Sequence, residues 1–399
     1  MIRRVAHAIA IFVSGIVAKM LPDRVPVTFV GSGSLGEICD SIGSQGVSRV
    51  LIVTDAVLNE LGIVARVNDA CRAAGVDAVV YDGVLPDPTF AQIEAGHARF
   101  LSGGCDAVLA VGGGSPMDAA KMIAAMATNG GDLHKLEGKM RVRKRPAPLF
   151  AIPTTAGTGS EVTIAAVVSD TQSHQKKFFL DPKLLPAMTA LDPTLMTGIP
   201  GPITAATGMD ALTHAIESYV AKTSTAQTES YATMAVRLVF EHLPTAFKDG
   251  EDLEARKGMA LASYYAGLAF TRTSVGYVHA IAHNLGAKYG TPHGLANALA
   301  LPHVLDFSKS AAQRQLAELG TLIGVSSGSE AERAQGFIDA VRSLALSIGI
   351  PTALDDLRAD DIGELADLAL AEAFLDYPVP RFMTKSDCEG VVAKLLPTA

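Results

Sequence analysis

The sequence predicts an α/β unit in its first half and an all-α unit in its second. Three observations carry that prediction. Short β-branched runs alternate with helical stretches up to about residue 196. Nearly everything from Ile203 onward reads as helix. Between them, Pro193, Gly198, Pro200, Gly201 and Pro202 punctuate the change. Strands separated by helical segments of roughly 10–20 residues indicate βαβ units and a parallel sheet.

In order, the strand candidates are PVTFVG, RVLIVTD, DAVVYDG, AVLAVGG and PLFAIPT. VLNELGIVARVNDACRAAG and TFAQIEAGHARFLSGG are helix candidates between them. VTIAAVVSD, KKFFLD and AMTALD are further extended runs. ALTHAIESYVA, SYATMAVRLVFEHL, KGMALASYYAGLAF, QLAELGTLIG, GFIDAVRSLALSIG and ELADLALAEAF follow as helices, and Thr384 to Asp387 opens a last one with a capping box. The chain therefore divides into an expected domain of residues 1–196 and a second of 197–399.

At 399 residues, 49% apolar and 19% charged, the chain supports two or three real cores and is not of disordered composition. A net charge of −8 argues against nucleic acid or an anionic membrane as the main partner. Four scattered cysteines form neither a disulfide framework nor a zinc-finger spacing and favour a reducing compartment, so a cytoplasmic protein is expected. The N-terminal MIRRVAHAIAIFVSGIVAKM has signal-like features. His7 and Lys19 flank its apolar run, no clear A-x-A site follows, and it is too short to span a bilayer. It reads as a helix packed on the first domain, in a soluble protein.

Three glycine loops follow strands. GSGSLG, Gly31–Gly36, fits the dinucleotide fingerprint, with Asp55 as the acid 19 positions on. In AVLAVGGGSPMDAAK the local reading makes Ser115 the helix cap and Asp118 the partner of a capping box. That explains SPMD but not Gly112, Gly113 and Gly114 in a row, which suit bare amides approaching a pyrophosphate. IPTTAGTGSEVT gathers Thr154, Thr155, Thr158, Ser160 and Thr163 around two glycines, more hydroxyls than a plain turn requires. Asp55 ends its strand, where it either accepts from adenosine ribose hydroxyls and repels a 2′-phosphate, or caps the next helix.

The histidines are unevenly spread. Asp210 and His214 stand four apart on one helix face, as do His279 and His283, and His293 follows at a helix start after Pro292. Any one of these is most simply a core or surface histidine. Burying the whole group without a partner would be costly, and three imidazoles with a carboxylate suit Fe(II) or Zn(II). Spacing alone leaves open which of His279 and His283 is a ligand, and His303 has no evident companion.

Together these segments resemble the iron-containing (group III) alcohol dehydrogenase family. The resemblance runs in order through LIVTD, VLPDPT, GGGSPMDAAK, IPTTAGTGSEVT, KFFLDPKLLP, ATGMDALTHAIESY and GYVHAIAHNLGAKYGTPHGLANALALPHV. It implies a dehydroquinate synthase-like scaffold: a Rossmann-like NAD-binding domain, a helical metal-binding domain and a cleft between them. It also implies Asp210, His214, His279 and His293 as metal ligands, with His283 as the proton relay. Gly113, Gly114, Ser115 and Asp118 match the pyrophosphate loop, and Thr154, Thr155, Thr158 and Thr163 the second cofactor loop. Lys176 matches the cofactor lysine, with Lys177 one residue off. Asp55 goes with NAD rather than NADP. Gly31–Gly36 then becomes a tight turn whose glycines serve close packing.

The expected cofactors are NAD and Fe2+, with Zn2+ as the alternative metal. The expected substrate is a small alcohol or aldehyde, and the expected assembly a homodimer or higher homo-oligomer with neither nucleic-acid nor membrane partners. Ala165 and Phe270 are candidate pocket residues. Arg272, in TRTSV, keeps a hydroxyacid–oxoacid transhydrogenase or a maleylacetate reductase in view, and a non-catalytic NAD- and metal-binding assembly protein is the rival from another class.

Overall fold

The protein is described by a computed structural model covering residues 2–20, 23–171 and 175–397. It opens on helix α1 (Ile2–Met20), and its residues group into two compact units, Pro22–Thr197 and Gly198–Ala399, the latter joined by α1.

The first unit carries strands β1 (Val27–Val30), β2 (Arg49–Val53), β3 (Asp77–Tyr81), β4 (Ala107–Gly112), β5 (Gly138–Lys139), β6 (Leu149–Pro153), β7 (Ala165–Asp170), β8 (Gln175–Leu180) and β9 (Met188–Leu191). Its helices are α2 (Ser34–Ser44), α3 (Ala56–Glu60), α4 (Ile63–Ala73), α5 (Phe90–Ser102) and α6 (Gly114–Asn129). Six strands form one sheet in the order β1-β9-β6-β4-β2-β3, with every pairing parallel. A parallel sheet must be covered on both faces, and its strands read as continuous apolar runs for that reason. In β2 and β4 alternate residues serve opposite cores. Leu51, Val53, Val108 and Ala110 pack with α5 and α6 residues such as Ile93 and Met122. Val50, Ile52, Leu109 and Val111 pack with Ile38 and Ile42 of α2 and Val64 and Val67 of α4.

From β2 the chain passes through α4 to β3 on one side, then returns to β4 on the other side of β2 and leaves through α6. The β2/β4 edge is therefore the topological switch point, the place where open α/β sheets bind ligands. Asp55 follows β2 there, and Gly112–Gly114 end β4.

All eight anticipated extended runs are strands. AMTALD (β9) joins the main sheet between β1 and β6, whereas β7 and β8 pair antiparallel in a separate three-stranded sheet with the short β5. The helix expected over VLNELGIVARVNDACRAAG is two helices, because Gly62 takes φ 77°, breaks the run and starts α4.

The second unit consists of α7 (Gly201–Val220), α8 (Ala226–Lys248), α9 (Leu253–Thr273), α10 (Tyr277–Tyr289), α11 (His293–Ser308), α12 (Gln313–Leu322), α13 (Glu330–Ser347), α14 (Ile362–Asp376) and α15 (Lys385–Val392), with short 3₁₀ turns. The capping box at Thr384 and Asp387 forms as expected. Helix α1 departs from the expectation that it packs on the sheet-bearing domain. It packs against α14 and α9, buries His7 and Ile11, and its His7 Nδ1 lies 2.7 Å from the Phe374 carbonyl oxygen. Among the described residues no helix is long and apolar enough to cross a membrane.

Asp192, directly after β9, ties the edge of the sheet to α2. Its Oδ2 accepts from the Gly33 and Leu35 amides at 3.0 and 3.1 Å, and its Oδ1 from the Thr194 amide and hydroxyl at 3.0 and 2.7 Å. Losing a buried carboxylate that satisfies four donors costs about 2–4 kcal/mol. Asp192→Ala should lower the unfolding free energy in urea by that amount, and Asp192→Asn by less, because the amide keeps one acceptor.

Candidate functional site

In the helical unit, the i, i+4, i+7 spacing of α7 sets Asp210, His214 and Glu217 along one face. All three are buried, as is His279 of α10. His293 begins α11, and Gly294 beside it lets α11 approach α7 closely, since a Cβ there would lie 2.3 Å from the Ala206 carbonyl oxygen.

One oxygen of Asp210 and one nitrogen each of His279 and His293 lie within 4.8 Å of one another. His293 Nε2 is 3.4 Å and His279 Nε2 3.7 Å from Asp210 Oδ1. His214 stands beside this trio with Nδ1 3.7 Å from the same oxygen. Its ring stacks on Phe270 with centroids 4.1 Å apart and tilts against His279 at 4.4 Å.

Burial by itself would push the Asp210 carboxyl upward in pKa. The surrounding imidazoles of His214, His293 and His279 outweigh that and hold it well below the usual carboxylate range. Burial likewise pushes His279 down, but its hydrogen bonds to Asp210 and Glu217 prevail and raise it to about 9. An ionised carboxylate with converging imidazole nitrogens in apolar surroundings is the donor set of a divalent transition metal, and these residues fit iron or zinc.

Glu217 organises the approach of α10. It accepts from the Gly276 amide (2.7 Å, Oε2) and the Val278 amide (2.7 Å, Oε1), and Oε2 lies 2.7 Å from His279 Nδ1. A carboxylate only accepts, so Nδ1 carries a proton toward Glu217, which leaves Nε2 as the nitrogen a metal would displace a proton from. Gly276 is obligatory here, because a Cβ would lie 2.6 Å from Glu217 Oε1.

His283, one turn further along α10, has its Nδ1 2.7 Å from Glu372 Oε1, and the Tyr377 hydroxyl donates to that same oxygen at 2.6 Å. Burial lowers the His283 pKa despite Glu372, so the ring is neutral near pH 7. Its ring stacks on His293 with centroids 5.2 Å apart.

In the sheet unit, the two loops expected to take a cofactor press on each other. A Cβ on Gly113 would meet Thr155 Oγ1 at 3.0 Å, and one on Gly114 would meet Thr158 Cγ2 at 3.0 Å. The cap of α6 is Gly113, with no side-chain cap; Ser115 is already inside the helix, so the capping box expected from SPMD does not form. Asp118 turns instead to the other loop, its Oδ1 accepting from Ser160 Oγ at 2.9 Å and its Oδ2 from the Val167 amide at 2.9 Å. Lys121, fully buried, donates to Ser160 Oγ, Thr163 Oγ1 and the Ala165 carbonyl at 2.8, 2.9 and 2.7 Å. Asp118 and Thr163 thus brace the loop from within.

Asp55 does cap α3, accepting from the Leu58 amide at 2.9 Å with Oδ1. Lys176 pairs with Asp87 at 2.7 Å and lies close enough to Asp118 to act on its charge, while Lys177 turns to Glu137 at 3.3 Å. The amides of Gly33 and Leu35 in GSGSLG are already taken by Asp192, whereas the start of α6 carries no such carboxylate. Of the two pocket candidates, Phe270 covers His214, and Ala165 lies at the start of β7 with its carbonyl on Lys121.

Sequence reading missed Glu217, Glu372 and Lys121. Glu217 had a signal, an acid in register with Asp210 and His214 on an otherwise apolar face. Lys121 had one too, three residues after Asp118. Glu372 had none, since it stands 89 residues from His283.

A parallel-sheet unit with a glycine-rich turn at its switch point, and a helical unit with a carboxylate–imidazole cluster, are the two parts expected of a metal-dependent dehydrogenase. Family comparison agrees. Residues 26–193 match the model described as iron-containing alcohol dehydrogenase, and residues 204–396 its C-terminal Fe-containing counterpart. The chain is 38% identical over 375 residues to an NAD-dependent methanol dehydrogenase of Bacillus methanolicus, covering 93% of this chain and 98% of that protein. It is 39% identical over 346 residues to a lactaldehyde reductase of Escherichia coli, covering 85% and 90%. Among solved structures, a 1,3-propanediol oxidoreductase superposes with a TM-score of 0.91 at 37% identity, covering 93% and 98%. An alcohol dehydrogenase from Oenococcus oeni gives 0.90 at 35%, with the same coverage. The chain belongs to the iron-containing alcohol dehydrogenase family.

Glu161, inside the second loop, yields a pH prediction. It is buried, its Oε1 has no hydrogen-bond partner, and burial raises its carboxyl to about 7 despite its own backbone amide and Lys121. The unfolded chain gives up this proton near pH 4.5, so stability falls as pH rises from about 4.5 to 7 and then levels off. The loss is on the order of 3 kcal/mol. Glu161→Gln should therefore raise the melting temperature at pH 8 and show no such gain at pH 4, in thermal unfolding followed by circular dichroism.

Proposed function

We propose that the protein interconverts a small primary alcohol and its aldehyde by reversible hydride transfer to and from NAD. In this reading Asp210, His214, His279 and His293 hold a divalent metal, iron with zinc as the alternative. The observation that carries it is the convergence of Asp210, His279 and His293 donor atoms within 4.8 Å amid apolar helices. Relatives named for methanol, lactaldehyde and 1,3-propanediol support a short alcohol or aldehyde as substrate.

When bound, the metal supplies a Lewis acid that eases loss of the hydroxyl proton and polarises the aldehyde, and the nicotinamide supplies the hydride acceptor and donor. The chain's own residues do the rest. Glu217 holds the Nδ1 proton of His279 and so leaves Nε2 to the cluster. Phe270 covers one face of His214 and keeps water from it. His283, neutral and oriented through Nδ1 by Glu372, takes the alcohol proton at Nε2 in oxidation and returns it in reduction.

For the cofactor, the amides of Gly113, Gly114 and Ser115 receive the pyrophosphate, joined by Thr154, Thr155 and Thr158 of the second loop, and Lys176 adds a positive charge. Asp118 and Thr163 serve by bracing that loop. The second carboxylate oxygen of Asp55 accepts from the adenosine ribose and repels a 2′-phosphate, so NAD is preferred to NADP.

Purified protein loaded anaerobically with Fe(II) or Zn(II) should form NADH from short primary alcohols and consume it with their aldehydes. Failure across such a panel sinks the reading. His279→Ala should lose bound metal and turnover together. His283→Ala should keep the metal while kcat falls by about 10²-fold; normal turnover would remove His283 from the reaction. A preference for NADP would refute the role given to Asp55.

A further inference from the structure

We infer that Asn297 is a positioning residue of the metal centre, whose side-chain amide holds the Asp210 carboxylate in place beside the His279 and His293 rings. The inference rests on the metal-holding reading of those residues.

Asn297 lies one turn after His293 on α11 and is wholly buried. Its Nδ2 donates to Asp210 Oδ1 at 2.7 Å and lies 3.1 Å from His293 Nε2 and 3.3 Å from His279 Nε2. One amide nitrogen thus faces a donor atom from each of three of the four candidate ligands. The network fixes which end of the amide points inward. The oxygen 2.7 Å away belongs to the Asp210 carboxylate, which is an acceptor. An amide oxygen in that place would face another acceptor, whereas the NH2 group donates to it. The amide oxygen has no hydrogen-bond partner in its buried setting, so no contact on that side explains the asparagine.

The residue type suits the task. A lysine would add a fixed positive charge against a cation, and an aspartate would add repulsion against Asp210. An aliphatic side chain would leave the carboxylate free to rotate about χ2. A neutral donor restrains Asp210 without altering the charge of the site. The i+4 spacing from His293 couples this restraint to the helix that carries one of the ligands.

The test uses the metal-free full-length protein titrated with Co(II) and Zn(II) against a chelator of known affinity. The Co(II) visible bands report ligand geometry, and circular dichroism and metal-free melting report folding. Asn297→Ala should remain folded, bind both metals roughly 10–100-fold more weakly, and show altered Co(II) bands. Asn297→Ser, which keeps a small donor, should fall between Ala and wild type and serves if the alanine variant does not fold. Unchanged affinity with wild-type bands overturns the inference, as does tighter binding. A lowered metal-free melting temperature with wild-type bands and affinity also overturns it, since Asn297 would then only fill space. Wild-type protein that binds neither metal would instead refute the metal-holding reading.

Discussion

The helical unit depends on one buried carboxylate. Glu217 takes two backbone amides at the start of α10 and faces the His279 ring, so a single side chain fixes where the helix begins and which nitrogen of His279 turns to the cluster. A lone carboxylate in such surroundings would be costly; three donors compensate it, and the positive end of the α10 dipole adds to them. Gly276 follows from the same constraint, because any side chain there would displace the carboxylate. The ring orientation, the helix start and the glycine are therefore one solution to one burial problem.

The sheet unit solves a comparable problem with glycines and a buried cation. Thr155 and Thr158 lie close against Gly113 and Gly114, where a Cβ would meet each at 3.0 Å, so the two loops are complementary before any ligand is considered. Lys121 reaches three oxygens and Asp118 two donors, which makes the second loop a rigid partner for the first. Lys121 is fully enclosed in this bracing, and its burial lowers it to about 8.

The fingerprint at Gly31–Gly36 has two of its amides engaged by the chain itself. Its letters, its preceding strand and its downstream acid are those of a phosphate loop. The decisive fact is Asp192, 159 residues from Gly33, which already occupies the amides at the start of α2. A carboxylate supplied by the chain itself removes the electrostatic reason for an anion to bind there.

Much was legible in the sequence because it depends on periodicity and on local chemistry. The parallel strands read as apolar runs, and the shift to helices at the Pro193–Pro202 cluster gave the second unit. The Asp210–His214 and His279–His283 spacings placed those residues on helix faces. The ordered loops pointed to the family as a whole. Only the tertiary structure decided what is set by contacts distant along the chain. These include the pairing of Glu372 with His283, the inward turn of Asp118 toward Ser160, the packing of α1 on α14 and the seating of Asn297 against Asp210. A sequence pattern records the face on which a residue lies. Which donor meets which acceptor across the core follows from how the elements pack, and no local spacing encodes that.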